Sequence, residues 1–151
     1  VNPRAKNYHW GDFTQGLFEA KEAGFDTTLL LDANGNITEG PGYNIFAVKD
    51  DRILTPRHGV LEGITRKVAM EIAAHHGLCV EVTDVPLETL MEADEVFATT
   101  TGGGPVAVTR VDGRIFSNDS AGPITRQIRE TYWRWHEDPA MSEPVAPLTR
   151  R

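Results

Sequence analysis

The sequence predicts an α/β fold with a mixed β-sheet, and three patterns support that prediction. Apolar residues recur at helical spacing in several segments, and short runs rich in β-branched and aliphatic residues lie between them. Some of these runs are joined by Asn-Gly or Asp-Gly, the dipeptides that favour tight hairpins. Others are joined through the helices. Hairpins together with helical crossovers indicate a sheet that contains strands of both orientations.

The first half of the chain predicts one helix followed by two pairs of strands. Apolar and small residues at every third or fourth position indicate the helix, and Gly24 can end it. The turn Asn34-Gly35 joins the first pair of strands, and the polar run 49–52 joins the second. In order, the predicted elements are a helix over residues 11–24 and strands over 27–32, 37–39, 43–48 and 53–55.

The second half alternates more regularly between helices and strands. Thr65 is the predicted N-cap of the next helix, and Pro123 suits the first turn of the last one. Asp112-Gly113 is the predicted turn of a hairpin. In order, the predicted elements are a helix over residues 65–76, a strand over 78–82, a short helix over 87–93, strands over 95–100, 105–111 and 114–116, a helix from 123, and an irregular tail over 139–151.

The composition excludes several classes of protein. The formal net charge of −7 argues against a protein that binds nucleic acid through its phosphates. The longest aliphatic run, Leu29-Leu30-Leu31, is far too short to span a membrane. Cys79 is the only cysteine, so no internal disulfide can form and we expect a soluble cytoplasmic protein with this residue in its core. His75-His76 has no third ligand at suitable spacing, so we expect no metal site.

Lys6 is the first residue that could carry chemistry. The other lysines fall on predicted helix surfaces or in a turn, whereas Lys6 lies among apolar and aromatic residues, in Ala5-Lys6-Asn7-Tyr8-His9-Trp10. Such surroundings can desolvate an amine and lower its pKa, as a Schiff-base lysine requires. The alternative is an ordinary surface lysine near a chain end.

Glu39 is the second candidate. It ends a predicted strand and precedes Gly40-Pro41-Gly42, where a flat ligand could approach the backbone without obstruction from side chains. The alternative is a solvated glutamate in front of a turn.

Two glycine-containing loops could each hold an anion. Leu61-Glu62-Gly63-Ile64-Thr65 leads into a helix N-terminus, where free N–H groups and the helix dipole favour phosphate. Thr99-Thr100-Thr101-Gly102-Gly103-Gly104 follows a strand and offers hydroxyl and amide groups. The alternatives are an ordinary helix cap and an ordinary glycine turn.

An amine, a carboxylate and two phosphate-binding loops together match the requirements of pyridoxal 5′-phosphate (PLP). The motifs Lys6-Asn7-Tyr8, Glu39-Gly40 with Asn44, the loop 61–65 and Thr101-Gly102-Gly103 occur in the order found in the fold-type IV, or class IV, aminotransferases, which this chain resembles over residues 5–135. The resemblance implies the barrel-like large domain of the D-amino acid aminotransferase-like fold. The segments 6–12 and 38–44 look most similar to the (R)-selective amine transaminase branch.

The resemblance also implies a role for each matching residue. Lys6 would form a Schiff base with PLP and then carry the proton between the substrate carbon and the cofactor. Glu39 would pair with the pyridine nitrogen, and Leu61 would pack on the ring. The implied phosphate contacts are Ile64, Thr65 and Thr101. The implied substrate contacts are Trp10, Gly102 and Gly103.

In this family a smaller domain precedes the lysine, and here only five residues precede Lys6. The resemblance therefore implies that residues 1–138 are the C-terminal large domain of a longer enzyme, without the N-terminal domain that contributes a phosphate-binding arginine and helps to form a homodimer. The expected reaction is transamination between an amino acid or amine and a 2-oxo acid, with little activity from this chain alone. The alternatives are a PLP-dependent lyase of the aminodeoxychorismate type and a non-catalytic domain that binds PLP or another phosphate ligand.

Overall fold

A computed structural model describes residues 2–145, and its centre is a five-stranded mixed sheet. The strand order is β3-β2-β1-β4-β5, in which β2 and β3 are parallel and every other pair is antiparallel. The α/β class with a mixed sheet is therefore confirmed. The elements in chain order are α1 (Gly11–Glu22), β1 (Asn44–Lys49), β2 (Arg52–Pro56), α2 (Ile64–His75), β3 (Cys79–Thr83), α3 (Leu87–Met91), β4 (Glu95–Thr100), β5 (Gly104–Ala107), β6 (Arg110–Val111), β7 (Arg114–Ile115) and α4 (Pro123–Glu137).

Both faces of the sheet are covered, since every residue but the last is buried in each of the central strands β1 and β4. Alternate residues of each strand enter two separate core clusters. On the first face the cluster contains Ile45, Ala47, Val96 and Ala98, together with Leu90 and Phe116. On the second face it contains Phe46, Val48 and Phe97, together with Ile72 of α2 and Ile128 and Tyr132 of α4. The rings of Phe46 and Phe97 are stacked, with their centroids 4.6 Å apart.

Several predicted elements differ from the structure. Residues 27–32 do not form a strand, although Leu30 and Glu39 are joined by a hairpin-type hydrogen bond, from Leu30 N to Glu39 O at 3.1 Å. The predicted strand 105–111 is divided into β5 and β6, which belong to different sheets. Helix α2 begins at Ile64 with Gly63 as its N-cap, so Thr65 lies inside the first turn and the predicted N-cap is wrong.

Cys79 is exposed, which contradicts its predicted place in the core. It begins β3, an outer strand of the sheet whose residues are all exposed or half-buried. Residues 139–145 contain turns but no helix or strand, and 146–151 lie outside the described residues. None of the described helices combines the length and apolarity needed to cross a membrane. Within residues 2–145, no three His, Cys, Asp or Glu side chains are grouped so that they could hold a metal ion.

Candidate active site

A cleft of about 580 Å³ opens between the N-terminal segment, the loop before β1, the N-terminus of α2 and the end of β4. It contains seven of the nine residues singled out in the sequence: Lys6, Trp10, Glu39, Leu61, Ile64, Thr65 and Thr101. Gly102 and Gly103 are not among the residues that line it. The segments that carried separate sequence motifs therefore meet around one cavity.

Glu39 is positioned by a tight turn that follows it. Gly40 and Tyr43 exchange two backbone hydrogen bonds, each 3.2 Å long, and the Tyr43 hydroxyl donates to Thr28 O at 2.5 Å. The Tyr43 ring packs directly on Gly40, where an added Cβ atom would overlap the ring carbons. Glycine at this position lets the ring close over the turn, which fixes the backbone next to Glu39.

One oxygen of the Glu39 carboxylate is held and the other is left for a ligand. Oε2 accepts hydrogen bonds from Asn44 Nδ2 at 3.0 Å and from Leu61 N at 2.9 Å. Among the described residues, no hydrogen bond reaches Oε1. Burial raises the pKa of Glu39, whereas these hydrogen bonds and the positive charges of Arg66 and Lys6 oppose that shift. The site therefore holds a partly desolvated carboxyl group in a fixed orientation.

Asn44 links the loop that contains Glu39 to the loop that contains Leu61. Besides its bond to Glu39, Nδ2 donates to Leu61 O at 2.9 Å, so one amide group contacts both loops. Asn44 is buried, and Gly63 approaches it so closely that an added Cβ there would overlap Asn44 Oδ1. The sequence motif contained Asn44, but its role was not predicted because it depends on contacts 5 and 17 residues along the chain.

The N-terminus of α2 faces this cleft without a side-chain cap. Gly63 makes no capping hydrogen bond, and the first turn contains no acidic residue. The N-terminus of α4 is different, because the Glu95 carboxylate accepts hydrogen bonds from Ile124 N at 3.0 Å and Thr125 N at 2.8 Å. The first-turn N–H groups of α2 thus remain available to an anionic group, and the helix dipole favours one there.

Arg66, in the first turn of α2, is a buried cation that sequence analysis missed. Its Nε donates to Thr55 Oγ1 at 3.2 Å and its Nη2 to Pro56 O at 2.7 Å. Within residues 2–145 it forms no salt bridge. Burial lowers the pKa of Arg66, and the charges of Glu62 and Glu39 oppose that shift. In the sequence, an arginine in a predicted helix is indistinguishable from a surface charge.

The N-terminal segment is the exposed wall of the cleft. Lys6 lines the cavity but is exposed, and Tyr8 beside it is 99% exposed. The apolar and aromatic neighbours were expected to shield the Lys6 amine from water, but in the described part of the chain Lys6 remains exposed. Trp10 is 43% exposed and packs edge-to-face on Phe13, with ring centroids 5.7 Å apart.

The turn after β4 closes the opposite side. Thr101 is exposed and lines the cavity, and Gly102 beside it is exposed as well. The N–H group of Gly103 donates to Thr100 Oγ1 at 2.8 Å, so that amide is already in use within the turn. Thr99, two residues before Thr101, lines the cavity from a buried position.

These features define what the cleft can bind. It offers a primary amine at its mouth, a carboxylate with one free oxygen, an uncapped helix N-terminus and the apolar side chain of Leu61. A flat aromatic ligand with a ring nitrogen, an anionic group and a carbonyl that reacts with amines would match all four.

Comparisons with a family model and with known protein sequences agree with each other. A family model described as amino-transferase class IV matches residues 1–111. The branched-chain-amino-acid aminotransferase of Pseudomonas aeruginosa is 36% identical over 118 residues, which cover 78% of this chain and 38% of that protein.

Two solved structures show the same fold at higher coverage. The branched-chain amino acid aminotransferase of Thermobaculum terrenum, in its PLP form, has a TM-score of 0.87 and 31% identity, covering 93% of this chain and 48% of that chain. The branched-chain aminotransferase of Thermoproteus uzoniensis, solved with norvaline, has a TM-score of 0.77 and 36% identity, covering 82% of this chain and 41% of that chain. This chain thus spans less than half the length of each of these three proteins.

Proposed function

Because the chain belongs to the class IV aminotransferase family, we propose that it is the cofactor-binding part of a PLP-dependent aminotransferase. The reaction transfers an amino group from an amino acid or amine to a 2-oxo acid. The observation that carries this proposal is the meeting of Lys6, Glu39 and the uncapped N-terminus of α2 around one cleft.

The residues of the cleft fit PLP at its three polar positions. The free Oε1 of Glu39 suits a protonated pyridine nitrogen, and the N–H groups of the first turn of α2, with the Thr65 hydroxyl, suit the phosphate. Thr101 provides a further hydroxyl for the phosphate from the opposite wall. When bound, PLP supplies an aldehyde that links covalently to an amine and a ring that delocalises the electron pair released at the substrate carbon.

Glu39 acts electrostatically. A carboxylate held at Oε2 by Asn44 and Leu61 keeps its second oxygen free of hydrogen bonds from the described residues, so that oxygen would stabilise a proton on the ring nitrogen of bound PLP. The charge of Arg66 favours the ionised form of this carboxyl and so opposes the effect of burial on its pKa. Preorganised charge of this kind is effective because it needs no rearrangement during the reaction.

Lys6 provides the reactive amine. Its Nζ would condense with the aldehyde of bound PLP, with loss of water, and after the amino donor has displaced it the free amine would hold a proton at Nζ beside the substrate. Leu61 and Trp10 both line the cleft, where Leu61 would pack on the ring and Trp10 would contact the substrate. Gly102 is exposed beside Thr101 and offers a backbone contact to a substrate carboxylate; Gly103 can do so only if its N–H group leaves Thr100 Oγ1.

We propose further that residues 1–138 form the large domain of a two-domain enzyme. Large apolar residues are exposed in the N-terminal segment, in α1 and at the cleft: Tyr8 at 99%, Phe18 at 62% and Ile64 at 83%. An N-terminal domain and a second copy of the chain in a homodimer would cover such a surface, and they would supply the desolvation that Lys6 lacks. The exposed free Cys79 suits the reducing environment of the cytoplasm.

The substrate is proposed at two levels of detail. An amino donor and a 2-oxo acid acceptor follow from the reaction class. The similar proteins reported above are branched-chain aminotransferases, which favours branched-chain amino acids as donors. The similarity of segments 6–12 and 38–44 to the (R)-selective amine transaminases remains a separate prediction, which enantiomer-resolved assays would test.

The proposed function is tested by adding PLP to the chain and following the visible absorbance that an aldehyde–amine condensation produces. We expect this band in the wild-type chain and in Lys21→Ala, whose lysine lies in α1 outside the cleft, but not in Lys6→Ala. Absence of the band in the wild-type protein contradicts the proposal.

Turnover is measured in the same protein with and without an N-terminal domain. We expect amino transfer only with a 2-oxo acid present, and much faster turnover once the N-terminal domain is supplied. Full turnover by the chain alone contradicts the two-domain proposal. Release of pyruvate without any acceptor would instead support the lyase, and PLP binding without turnover in the two-domain protein would support the non-catalytic domain.

A further inference from the structure

Thr99 carries a buried hydroxyl group without a partner. Its side chain is 2% exposed, and Oγ1 is the one buried side-chain polar atom in residues 2–145 that forms no hydrogen bond. Three other buried threonines of the described chain have hydrogen-bonded hydroxyl groups. Thr55 Oγ1 donates to Ile45 O at 2.9 Å, Thr125 Oγ1 donates to Glu95 Oε2 at 2.7 Å, and Thr131 Oγ1 lies 2.8 Å from His76 Nε2.

The position of Thr99 connects this hydroxyl with the cleft. In the register of β1 and β4, Thr99 is directly opposite Asn44, so the two side chains lie on the same face of the sheet. Both residues line the cavity. Asn44 is bonded to Glu39 and is in close contact with Gly63 at the start of α2. Thr99 thus stands beside the residue that links the carboxylate to the helix N-terminus, the two features that receive the polar ends of the ligand.

An unpaired buried hydroxyl is costly, because it has lost its hydrogen bonds to water and gained none from the protein. In a core position, valine would fill nearly the same space without that cost. A hydroxyl retained at the edge of a ligand cavity is therefore explained if a bound molecule satisfies it.

We infer that Thr99 is a ligand-binding residue of this cleft, whose hydroxyl forms a hydrogen bond with bound PLP. The inference rests on the proposed function. It couples stability to binding: the ligand-free chain contains an unpaired hydroxyl, and binding of PLP pairs it. Removing the hydroxyl should therefore stabilise the ligand-free protein and weaken the bound state.

The test compares Thr99→Val, Thr99→Ser and Thr131→Val in the full chain. Valine at 99 removes the hydroxyl with little change in shape, and serine retains it. Valine at 131 removes a hydroxyl that is already paired with His76, at a position outside the cleft. The readouts are the thermal unfolding midpoint without ligand and the dissociation constant for PLP and for pyridoxine 5′-phosphate, which lacks the aldehyde and so reports binding without covalent attachment.

We expect Thr99→Val to raise the ligand-free midpoint by about 2 °C or more and to weaken binding of both probes roughly tenfold. Thr99→Ser should bind both like the wild-type protein. Thr131→Val should lower the midpoint and leave both dissociation constants unchanged.

Two results would overturn the inference. Unchanged affinity of Thr99→Val for both probes would show that the hydroxyl does not contact the ligand. A lower ligand-free midpoint in Thr99→Val would show that water already satisfies the hydroxyl. If neither probe binds the wild-type protein, the proposed function fails and this inference fails with it.

Discussion

Asn44 Nδ2 lies 3.0 Å from Glu39 Oε2 and 2.9 Å from Leu61 O, so a single amide group at the start of β1 joins the two loops that form the floor of the cleft. The carboxylate is therefore oriented by the sheet itself and not only by its own turn. Substitutions of this amide, of the Glu39 carboxylate or of the adjoining Gly63 should therefore change stability and ligand binding in different ways.

Glu39→Gln should stabilise the ligand-free chain near neutral pH. Glutamine keeps an oxygen that accepts from Asn44 and Leu61 and removes a partly buried charge. Because burial raises the pKa of Glu39, the folded chain binds this proton more tightly than the unfolded chain does, and the stability this gives is present at acid pH and lost as pH rises through the raised pKa. Unfolding midpoints of the two proteins should therefore coincide in acid and diverge towards neutral pH.

The same substitution should impair the reaction. In the enzyme with its N-terminal domain, Glu39→Gln should lower kcat about 100-fold or more, because the charge that stabilises the ring proton is gone. A variant that is both less stable at neutral pH and fully active would contradict the role assigned to Glu39.

Asn44→Asp should destabilise the chain in a pH-dependent way. The new carboxylate replaces an amide donor, so it faces Glu39 Oε2 and Leu61 O without a hydrogen to donate. We expect a loss of about 3 kcal/mol at neutral pH, since a buried charge is left unpaired beside a like charge. Protonation of either carboxyl removes the repulsion, so denaturant titrations should show the difference shrinking as pH falls. A loss that is independent of pH would contradict this explanation.

Gly63→Ala should weaken PLP binding as well as stability. The added Cβ would overlap Asn44 Oδ1, so the amide that holds Glu39 must shift. We expect a stability loss of about 1–3 kcal/mol and a higher dissociation constant for PLP. Gly16→Ala is the matched control, because a Cβ there would lie 2.8 Å from Thr28 Cγ2 although Gly16 does not line the cleft. Equal effects of the two substitutions on PLP binding would argue against the contact with Asn44.

Glu95→Ala should affect folding without a direct effect on the cleft. Glu95 is buried and accepts hydrogen bonds from Ile124 N, Thr125 N and Thr125 Oγ1, at 3.0, 2.8 and 2.7 Å. Its removal leaves the first turn of α4 uncapped inside the protein, at a cost of about 3 kcal/mol. Glu92→Ala, which breaks only the exposed pair with Lys49, should cost less than about 1 kcal/mol. Chemical unfolding of both variants measures the difference.

The sequence predicted elements whose signals are local. Strand β4 has the predicted limits, and the final helix begins at Pro123 as predicted. The segment 27–32 was interpreted as a strand from its β-branched and aliphatic residues, but it has hairpin-type contacts only and forms none of the regular strands. Thr65 was preferred as an N-cap for its hydroxyl, whereas the extended backbone at Gly63 starts the helix two residues earlier.

In the site, too, residues within short sequence motifs could be predicted, whereas residues whose role depends on distant parts of the chain could not. Lys6, Glu39 and the loop 61–65 could be found because each lies in a recognisable short motif. Asn44, Arg66 and Thr99 acquire their significance from partners or neighbours on other strands and loops, such as the pairing of Asn44 with Thr99 across β1 and β4. Burial is also a tertiary property: the sequence around Lys6 suggested desolvation, but its aromatic neighbour Tyr8 faces solvent.

The central claim is that Lys6 is the amine that binds PLP, and covalent trapping tests it most directly. The chain has four lysines, Lys6, Lys21, Lys49 and Lys67, so borohydride reduction in the presence of PLP followed by peptide mapping can assign the modified residue. The proposed function predicts a pyridoxyl group on the peptide that contains Lys6, and its loss in Lys6→Ala. A label on another lysine, or no label on Lys6 when PLP is bound, would contradict the assignment.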